Sequence, residues 1–295
     1  MKILTWQNPG QLFVAQELIN KVKSKCCGIK DKIKLMKMNE ELEKLFDEWK
    51  NRLKENGDGD FFTKDGLLRQ NNKSDEQIEE EWFSSEKRIL ILLKDQNQDG
   101  SQKWDEDIRD WFKDTSSDCC KSLQQKQKNR NLDIQFIKRI AFLLWGLSKA
   151  DKNSDWQCND VAMHFDEVKE FINKQPFALV ECKKTPGNGC LDDKLLKKHL
   201  HDYGDLLKKE IDILNPNMII CTSQHIYDFV VKSYPKESIQ TLEGHNSIRI
   251  IQNGNKPDTL IFCSYHPSDR YGDEHFYEGV MNHYREYLRN RTNGA

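Results

Sequence analysis

Short apolar runs that alternate with amphipathic stretches limit most strongly what this chain can fold into. Five runs have the length and composition of buried strands, at about residues 88–94, 177–183, 218–222, 247–252 and 259–265. Continuous apolar strands that alternate with helices are typical of a mostly parallel sheet whose two faces are both covered. We therefore expect an α/β protein, a three-layer sandwich around a central, mostly parallel sheet of four to five strands.

Helical periodicity fills the segments between these strands. Apolar residues recur at helical spacing at about 105–112, 133–147, 192–214, 224–233 and 273–290. Two further helices precede the first strand. One begins at Asn8 and Pro9, which suit a helix start, and the other covers about 39–54. Residues 1–85 are thus predicted to form a helical N-terminal extension, and residues 86–295 the α/β domain.

The composition favours a soluble protein of the cytoplasm. The longest apolar runs, 89–93 and 218–221, are far shorter than the roughly 20 residues that a membrane span needs. The first residues lack the apolar segment of a signal peptide. The nine cysteines include no C-x-x-C pair, and their odd number argues against a disulfide framework. We expect a cytoplasmic protein, no membrane partner and mostly buried cysteines.

Polar residues follow the predicted strands at the ends where ligands bind in parallel sheets. His266, Pro267 and Ser268 come directly after the last strand, and the run L-x-P-x-x-I-I-C-T covers 214–222. The second long strand ends in the segment E-C-K-K-T at 181–185. In order and position these motifs resemble the uracil-DNA glycosylase superfamily, over about residues 88–288. The resemblance implies a uracil-DNA glycosylase-like fold for the α/β domain.

The same resemblance implies roles for the last loop. His266 matches the histidine that donates to the pyrimidine carbonyl oxygen, where negative charge builds as the glycosidic bond breaks. Ser268 would belong to a loop that pinches the DNA backbone. Arg270 and Tyr271 lie where relatives place a side chain that wedges into the duplex and offsets the cost of flipping a base. The alternative for Arg270 is an ordinary surface arginine.

The loops after the first two long strands carry the other expected site residues. Asp95 and Asn97 fall where the family positions water, and a carboxylate there can polarise that water and stabilise a developing oxocarbenium ion. The usual glycine and proline of this loop are absent. Lys184 and Thr185 are expected to contact DNA.

Glu181 takes the place of the asparagine that reads uracil. An ionised glutamate only accepts hydrogen bonds, so it disfavours uracil unless it is protonated, and it suits a base that presents an amino group. The alternative is that the strand is offset by one residue and Glu181 is a salt-bridge partner.

A calcium loop competes for the same segment. The pattern D-x-[DN]-x-[DN]-G-x₅-E of an EF-hand is satisfied by Asp95, Asn97, Asp99, Ser101 and Glu106. Residues 88–94 are predicted to form a strand instead of the entering helix, and the sequence contains no second loop of this kind. Calcium is therefore an alternative cofactor, and otherwise no cofactor is expected.

Two hypotheses of different classes follow. The first is a DNA-repair enzyme, a DNA glycosylase-like hydrolase that flips a base and cleaves its N-glycosidic bond with water. The second is a catalytically silent module that binds nucleic acid or nucleotides with the same fold. The net charge of −2 gives no global attraction to nucleic acid. DNA, single- or double-stranded, is the expected partner, and the base stays open.

Overall fold

The computed structural model describes residues 38–70, 73–97, 105–111, 135–151, 153–187, 191–242, 245–252 and 258–293. The helix predicted to begin at Asn8 lies outside these residues. No helix in the described ranges combines the length and apolarity that crossing a membrane requires.

Nine strands form two sheets in the described part of the chain. They are β1 (Thr63–Lys64), β2 (Gly66–Leu67), β3 (Ile89–Asn97), β4 (Glu106–Asp107), β5 (Ala178–Gly187), β6 (Met218–Cys221), β7 (Ile239–Leu242), β8 (His245–Ile251) and β9 (Thr259–Cys263). The main sheet has seven strands in the order β2-β5-β3-β6-β9-β8-β7, and β1 pairs separately with β4. The four central strands β5, β3, β6 and β9 are parallel, whereas β2, β8 and β7 are antiparallel to their neighbours. The predicted mostly parallel sheet is confirmed, with short extra strands at both edges.

Nine α-helices accompany these strands among the described residues. They are α1 (Met38–Asn56), α2 (Asp75–Ser84), α3 (Gln135–Lys149), α4 (Cys158–Met163), α5 (Phe165–Lys174), α6 (Asp193–Asp202), α7 (Gly204–Leu214), α8 (Gln224–Lys232) and α9 (Asp273–Asn293). Two short 3-10 turns occur at Ile108–Asp110 and Lys236–Ser238.

The helices cover the sheet on both faces, because side chains of a strand alternate between its two sides. Ile89 and Ile91 of β3 pack in a core with α3, α4, α5 and α9. Leu90 and Leu92 of the same strand pack in a second core with α1, α2, α6, α7 and α8. The protein is thus an α/β fold of three layers.

The chain order creates a crevice at the carboxyl ends of the central strands. From β3 the chain passes to helices on the first face, whereas from the adjacent strand β6 it passes to α8 on the second face. Such a reversal opens a crevice between the two departing connections, and ligands of open α/β sheets bind there. The residues after β3, β6 and β9 are therefore the place to look for a site.

Three predicted elements differ from the structure. The helix expected at 105–112 is wrong: Glu106 and Asp107 pair with β1, and the Asp107 side chain then caps a 3-10 turn. The helix expected at 192–214 is two helices that meet at Tyr203. The described part of the N-terminal extension is helical in α1, as predicted, but α1 packs within the core of the second face instead of standing apart from it.

Candidate functional site

Three of the residues predicted to act chemically lie near the carboxyl edge of the four parallel strands. One line across the sheet joins Leu92, Val180, Cys221 and Cys263. Asp95 comes three residues after Leu92 in the chain, and His266 comes three residues after Cys263. Glu181 comes directly after Val180. Because neighbouring strands are roughly 4.8 Å apart, about 14 Å separate β5 from β9 at this edge.

The imidazole of His266 is held in one tautomer. Its Nδ1 atom accepts a hydrogen bond of 3.1 Å from the backbone N–H of Ser268, and its ring lies 6.0 Å from that of Phe136. Burial, together with the positive charge of Lys94, lowers the pKa of His266 to about 4. The ring is therefore neutral at pH 7, and its single proton sits on Nε2, which becomes a hydrogen-bond donor.

A buried arginine fixes the loop that carries this histidine. Arg139 of α3 donates from Nη1 to the carbonyl oxygens of Pro267 (3.0 Å) and Asp269 (2.8 Å), and from Nη2 to that of Tyr271. Its Nε donates to the carboxylate of Asp273, at 2.9 Å. One side chain thus satisfies three carbonyl groups of a loop more than 120 residues away in sequence, which restricts the loop to one conformation.

The Glu181 side chain is buried in the sheet, with 2% of its surface exposed. Its backbone N–H donates to the carboxylate of Asp65 (2.6 Å), and no described group hydrogen-bonds to its Oε2 atom. Burial raises the pKa of Glu181 well above its ordinary value, and the charges of Asp65 and Asp95 raise it further. In its neutral form a carboxyl group has one donor and one acceptor, which is the hydrogen-bonding pattern of an amide.

Lys184 corrects one expectation, because it is not a DNA contact. Its side chain has no exposed surface, and its ammonium group pairs with Asp65 and, at 2.7 Å, with Glu210 of α7. The ammonium also lies 4.9 Å from the centre of the Trp49 ring and 5.8 Å from that of Phe46. Burial lowers the pKa of Lys184, but the two carboxylates outweigh burial and raise the pKa above its ordinary value.

Asp95 lies at a cleft of about 480 Å³ on the carboxyl edge beside β5. Its carboxylate is 3.5 Å from the ammonium of Lys183 and lies against Gly187, where a Cβ atom would be 1.7 Å from Oδ2. The other walls are the loop 57–61, the segment 191–192 and α6, which contributes Leu195 and His199. His266 is not among the residues that line this cleft.

The remaining predicted residues occupy varied positions. Thr185 is buried at the cleft, and its carbonyl accepts from Lys183. Ser268, Arg270 and Tyr271 are exposed in the loop after β9. Asn97 is the last residue of β3 and pairs in register with Gly187.

The candidate calcium loop is only partly described. Asp99 and Ser101 lie outside the described residues, Asp95 lies within β3, and Glu106 begins β4. The two carboxylate oxygens of Glu106 accept hydrogen bonds from Trp111 (2.8 Å) and Gln96. No group of three metal-binding side chains is gathered within the described ranges. Calcium binding stays a prediction.

Sequence reasoning missed Arg139, Lys183 and His199. In the sequence, Arg139 looks like any other basic residue of a helical segment. The carbonyl groups to which it donates come from a distant loop, so the sequence does not show its role. Lys183 and His199 meet at the cleft only through the packing of α6 on β5. No local pattern distinguishes these residues from ordinary surface charges.

The burial of His199 predicts how stability depends on pH. Burial, assisted by the charge of Lys183, lowers the pKa of His199 to about 4. Because the unfolded chain takes up this proton near pH 6.5, the histidine costs stability as the pH falls from 6.5 to 4, by up to about 3 kcal/mol. We expect His199→Gln to flatten the rise of the unfolding free energy between pH 4 and 6.5, measured by urea titration.

An exposed histidine provides the control for this experiment. His201 lies two residues further along α6 and is exposed, so His201→Gln should leave the pH dependence of the wild type unchanged. Equal slopes for the wild type and His199→Gln would contradict the expectation.

Comparison with known proteins adds no relative. No family model matches the chain, and no curated protein matches its sequence.

Proposed function

We propose that this protein is a hydrolase that cleaves the N-glycosidic bond of a nucleobase in DNA. The observation that carries the proposal is the fixed tautomer of His266. Its Nδ1 atom is occupied by the Ser268 N–H, so a neutral ring presents Nε2–H at the carboxyl edge of a parallel sheet. A preorganised donor at such an edge suits the stabilisation of an anion that forms only during the reaction.

The leaving base gives His266 its role. When the bond between the sugar carbon C1′ and the base nitrogen breaks, the bonding electron pair stays with the base, and a pyrimidine spreads this charge to its carbonyl oxygen. The Nε2–H of His266 would donate to that oxygen. A donor held in place by a rigid loop needs no reorganisation at the moment of reaction, which is where its catalytic advantage lies.

Water completes the reaction at C1′. Asp95 would orient a water molecule and accept one of its protons as the oxygen bonds to C1′, and the departing base anion then takes up a proton. The ion pair with Lys183 and the close fit against Gly187 fix the carboxylate in one position. Because His266 does not line the cleft at Asp95, substrate would have to extend along the edge of the sheet from one to the other.

Neutral Glu181 bears on which base is read. With an O–H donor and a carbonyl acceptor it matches the O4 and N3–H groups of uracil, just as an amide does. A neutral carboxyl group can equally accept from an amino group and donate to the adjacent ring nitrogen, the pair that cytosine presents as N4–H and N3. The raised pKa of Glu181 therefore fits uracil but does not select it over a base with an amino group, and substrate would reach this buried carboxyl only if its neighbours moved.

A panel of oligonucleotides tests the proposal. The full chain is incubated with labelled strands that carry uracil, hypoxanthine, xanthine or modified cytosines, and alkaline cleavage then reports abasic sites. We expect a product on at least one strand. We expect a loss of about 10²–10³-fold in His266→Ala, as for other donors to a developing anion, and a clear loss in Asp95→Asn.

The matched control is His201→Ala, which removes an exposed histidine from α6 and should keep full activity. Product that persists in both site variants would defeat the assignment of the site. If no strand yields a product while the protein still binds oligonucleotides, the fold is that of a silent binding module.

A further inference from the structure

Three exposed rings lie together beside His266, and we call them the aromatic platform: Tyr265, Tyr271 and His275. The rings of Tyr265 and His275 have centroids 3.8 Å apart, those of Tyr271 and His275 are 4.8 Å apart, and those of the two tyrosines are 6.2 Å apart. Tyr265 is 42% exposed and Tyr271 is 59% exposed. The platform thus presents a continuous aromatic surface to solvent.

This surface is unusual in the described part of the molecule. Single exposed apolar side chains are normal, but contiguous groups of them mark binding surfaces. The other large apolar side chains that are exposed in the described residues are Phe61, Met163, Phe165 and Leu195. Phe61 and Leu195 line the cleft beside Asp95, and the ring of Phe165 packs on that of Phe142, whereas the rings of the two exposed tyrosines contact each other.

The platform is also held rigidly. Arg139 binds the carbonyl oxygen of Tyr271, and the ring of Tyr265 lies over Gly279 of α9, where a Cβ atom would be 3.7 Å from the ring. His275 belongs to the first turn of α9. Rigid aromatic side chains lose little conformational entropy when they bind, so this arrangement favours stacking with a flat partner.

We propose that the aromatic platform stacks the unpaired bases of a single-stranded nucleic acid. This inference rests on the proposed function for the nature of the partner, and it adds the strandedness of the substrate. Every base has a π-face, and base–aromatic stacking contributes about 1–3 kcal/mol per base. In a duplex those faces are covered by neighbouring bases, whereas in a single strand they are free.

The position and the small area of the platform favour a single-stranded nucleic acid over a protein as its partner. Tyr265 precedes His266 directly in the chain, so the backbone of the platform is within one residue of the proposed base site. The exposed Arg270 lies in the same loop, where it can reach a backbone phosphate. A stable protein interface needs about 800 Å² on each side, far more than three side chains provide.

Fluorescence anisotropy on the full chain tests this inference. The probe is a labelled strand of about 12 nucleotides, free or annealed to its complement. We expect tighter binding of the free strand. Tyr271→Ala and Tyr265→Ala should each weaken that binding by about 5- to 100-fold, whereas Tyr271→Phe keeps the ring and should bind as the wild type does.

The matched control is Phe165→Ala, which removes an exposed ring from α5 and should leave binding unchanged. Equal or tighter binding of the duplex, or normal single-strand binding by both alanine variants, would overturn the platform. Concentration-dependent self-association that disappears in Tyr271→Ala, seen by sedimentation, would assign the surface to a second copy instead.

The two proposals fail in distinguishable ways. Abasic product on duplex DNA that persists in Tyr271→Ala would contradict the single-strand platform and support the proposed hydrolase. If no product forms, but single-strand binding depends on Tyr265 and Tyr271, the result would contradict the proposed hydrolase and support the proposed platform.

Discussion

Replacing Lys184 by methionine is expected to lower the free energy of unfolding by about 3–5 kcal/mol. Methionine fills a similar volume, but it leaves the carboxylates of Asp65 and Glu210 facing each other without a cation in a site with no exposed surface. Removing one partner of a buried ion pair is strongly destabilising because the remaining charge is uncompensated. Urea unfolding followed by tryptophan fluorescence measures the change, and Trp49 beside the ammonium is a local reporter.

A surface lysine offers the matched control. Lys198 pairs with Asp58 and Asp202, both at 2.9 Å, but its side chain is 49% exposed. Exposed ion pairs contribute less than about 1 kcal/mol, so Lys198→Met should have little effect. Adding Glu210→Gln to Lys184→Met should recover part of the loss. If the two lysine variants were equally stable, the buried ion pairs of Lys184 would not stabilise the protein as expected.

Replacing Arg139 by alanine should both destabilise the protein, by about 3 kcal/mol or more, and release the loop that carries His266. Three backbone carbonyl groups and one carboxylate oxygen of Asp273 lose the hydrogen bonds that the arginine donates. Each buried acceptor left without a partner costs about 1–3 kcal/mol, and local relaxation recovers part of the sum. The direct readout is limited trypsin digestion, because Arg270 lies within the released loop and should be cut faster.

A variant of Lys138 separates the loss of the hydrogen bonds to the loop from the loss of a positive charge. Its ammonium pairs with Asp273 at 2.5 Å, so Lys138→Ala removes a cation from the same acid without touching the loop carbonyls. Cleavage after Arg270 should stay slow in this variant. Arg139→Lys keeps the charge but not the multiple donors, and we expect it to resemble alanine in the digestion. Slow cleavage in Arg139→Ala would refute the anchoring role.

The central strands were predictable because their signal is local. Each is a run of apolar residues long enough to be buried on both faces, and the structure places β3, β5, β6, β8 and β9 within a few residues of the predicted runs. The edge strands β2 and β7 were not predicted. They contain two and four residues, and what makes them strands is the neighbour they pair with, which no local pattern reveals.

The candidate site was predictable only in part, for the same reason. His266 stood out because it follows a strand directly. The positions of the other site residues depend on burial, which the sequence does not reveal. Lys184 has the sequence signature of a surface cation, but it is buried and pairs with Asp65, which lies 119 residues earlier. The raised pKa of Glu181 likewise depends on burial and on Asp65 and Asp95, which are distant in the sequence, so it became visible only in three dimensions.

The two-residue strand β2 limits how the chain can be divided. It pairs with β5 at the edge of the sheet, and the adjacent Asp65 holds both the Glu181 N–H and the Lys184 ammonium. A fragment that starts at residue 86 would expose the backbone of β5 to pairing with other chains and would leave a lysine buried without one of its acids. We therefore expect the α/β domain to need the segment from α1 to β2 in order to fold stably, and the predicted boundary at residue 85 marks a change of sequence character.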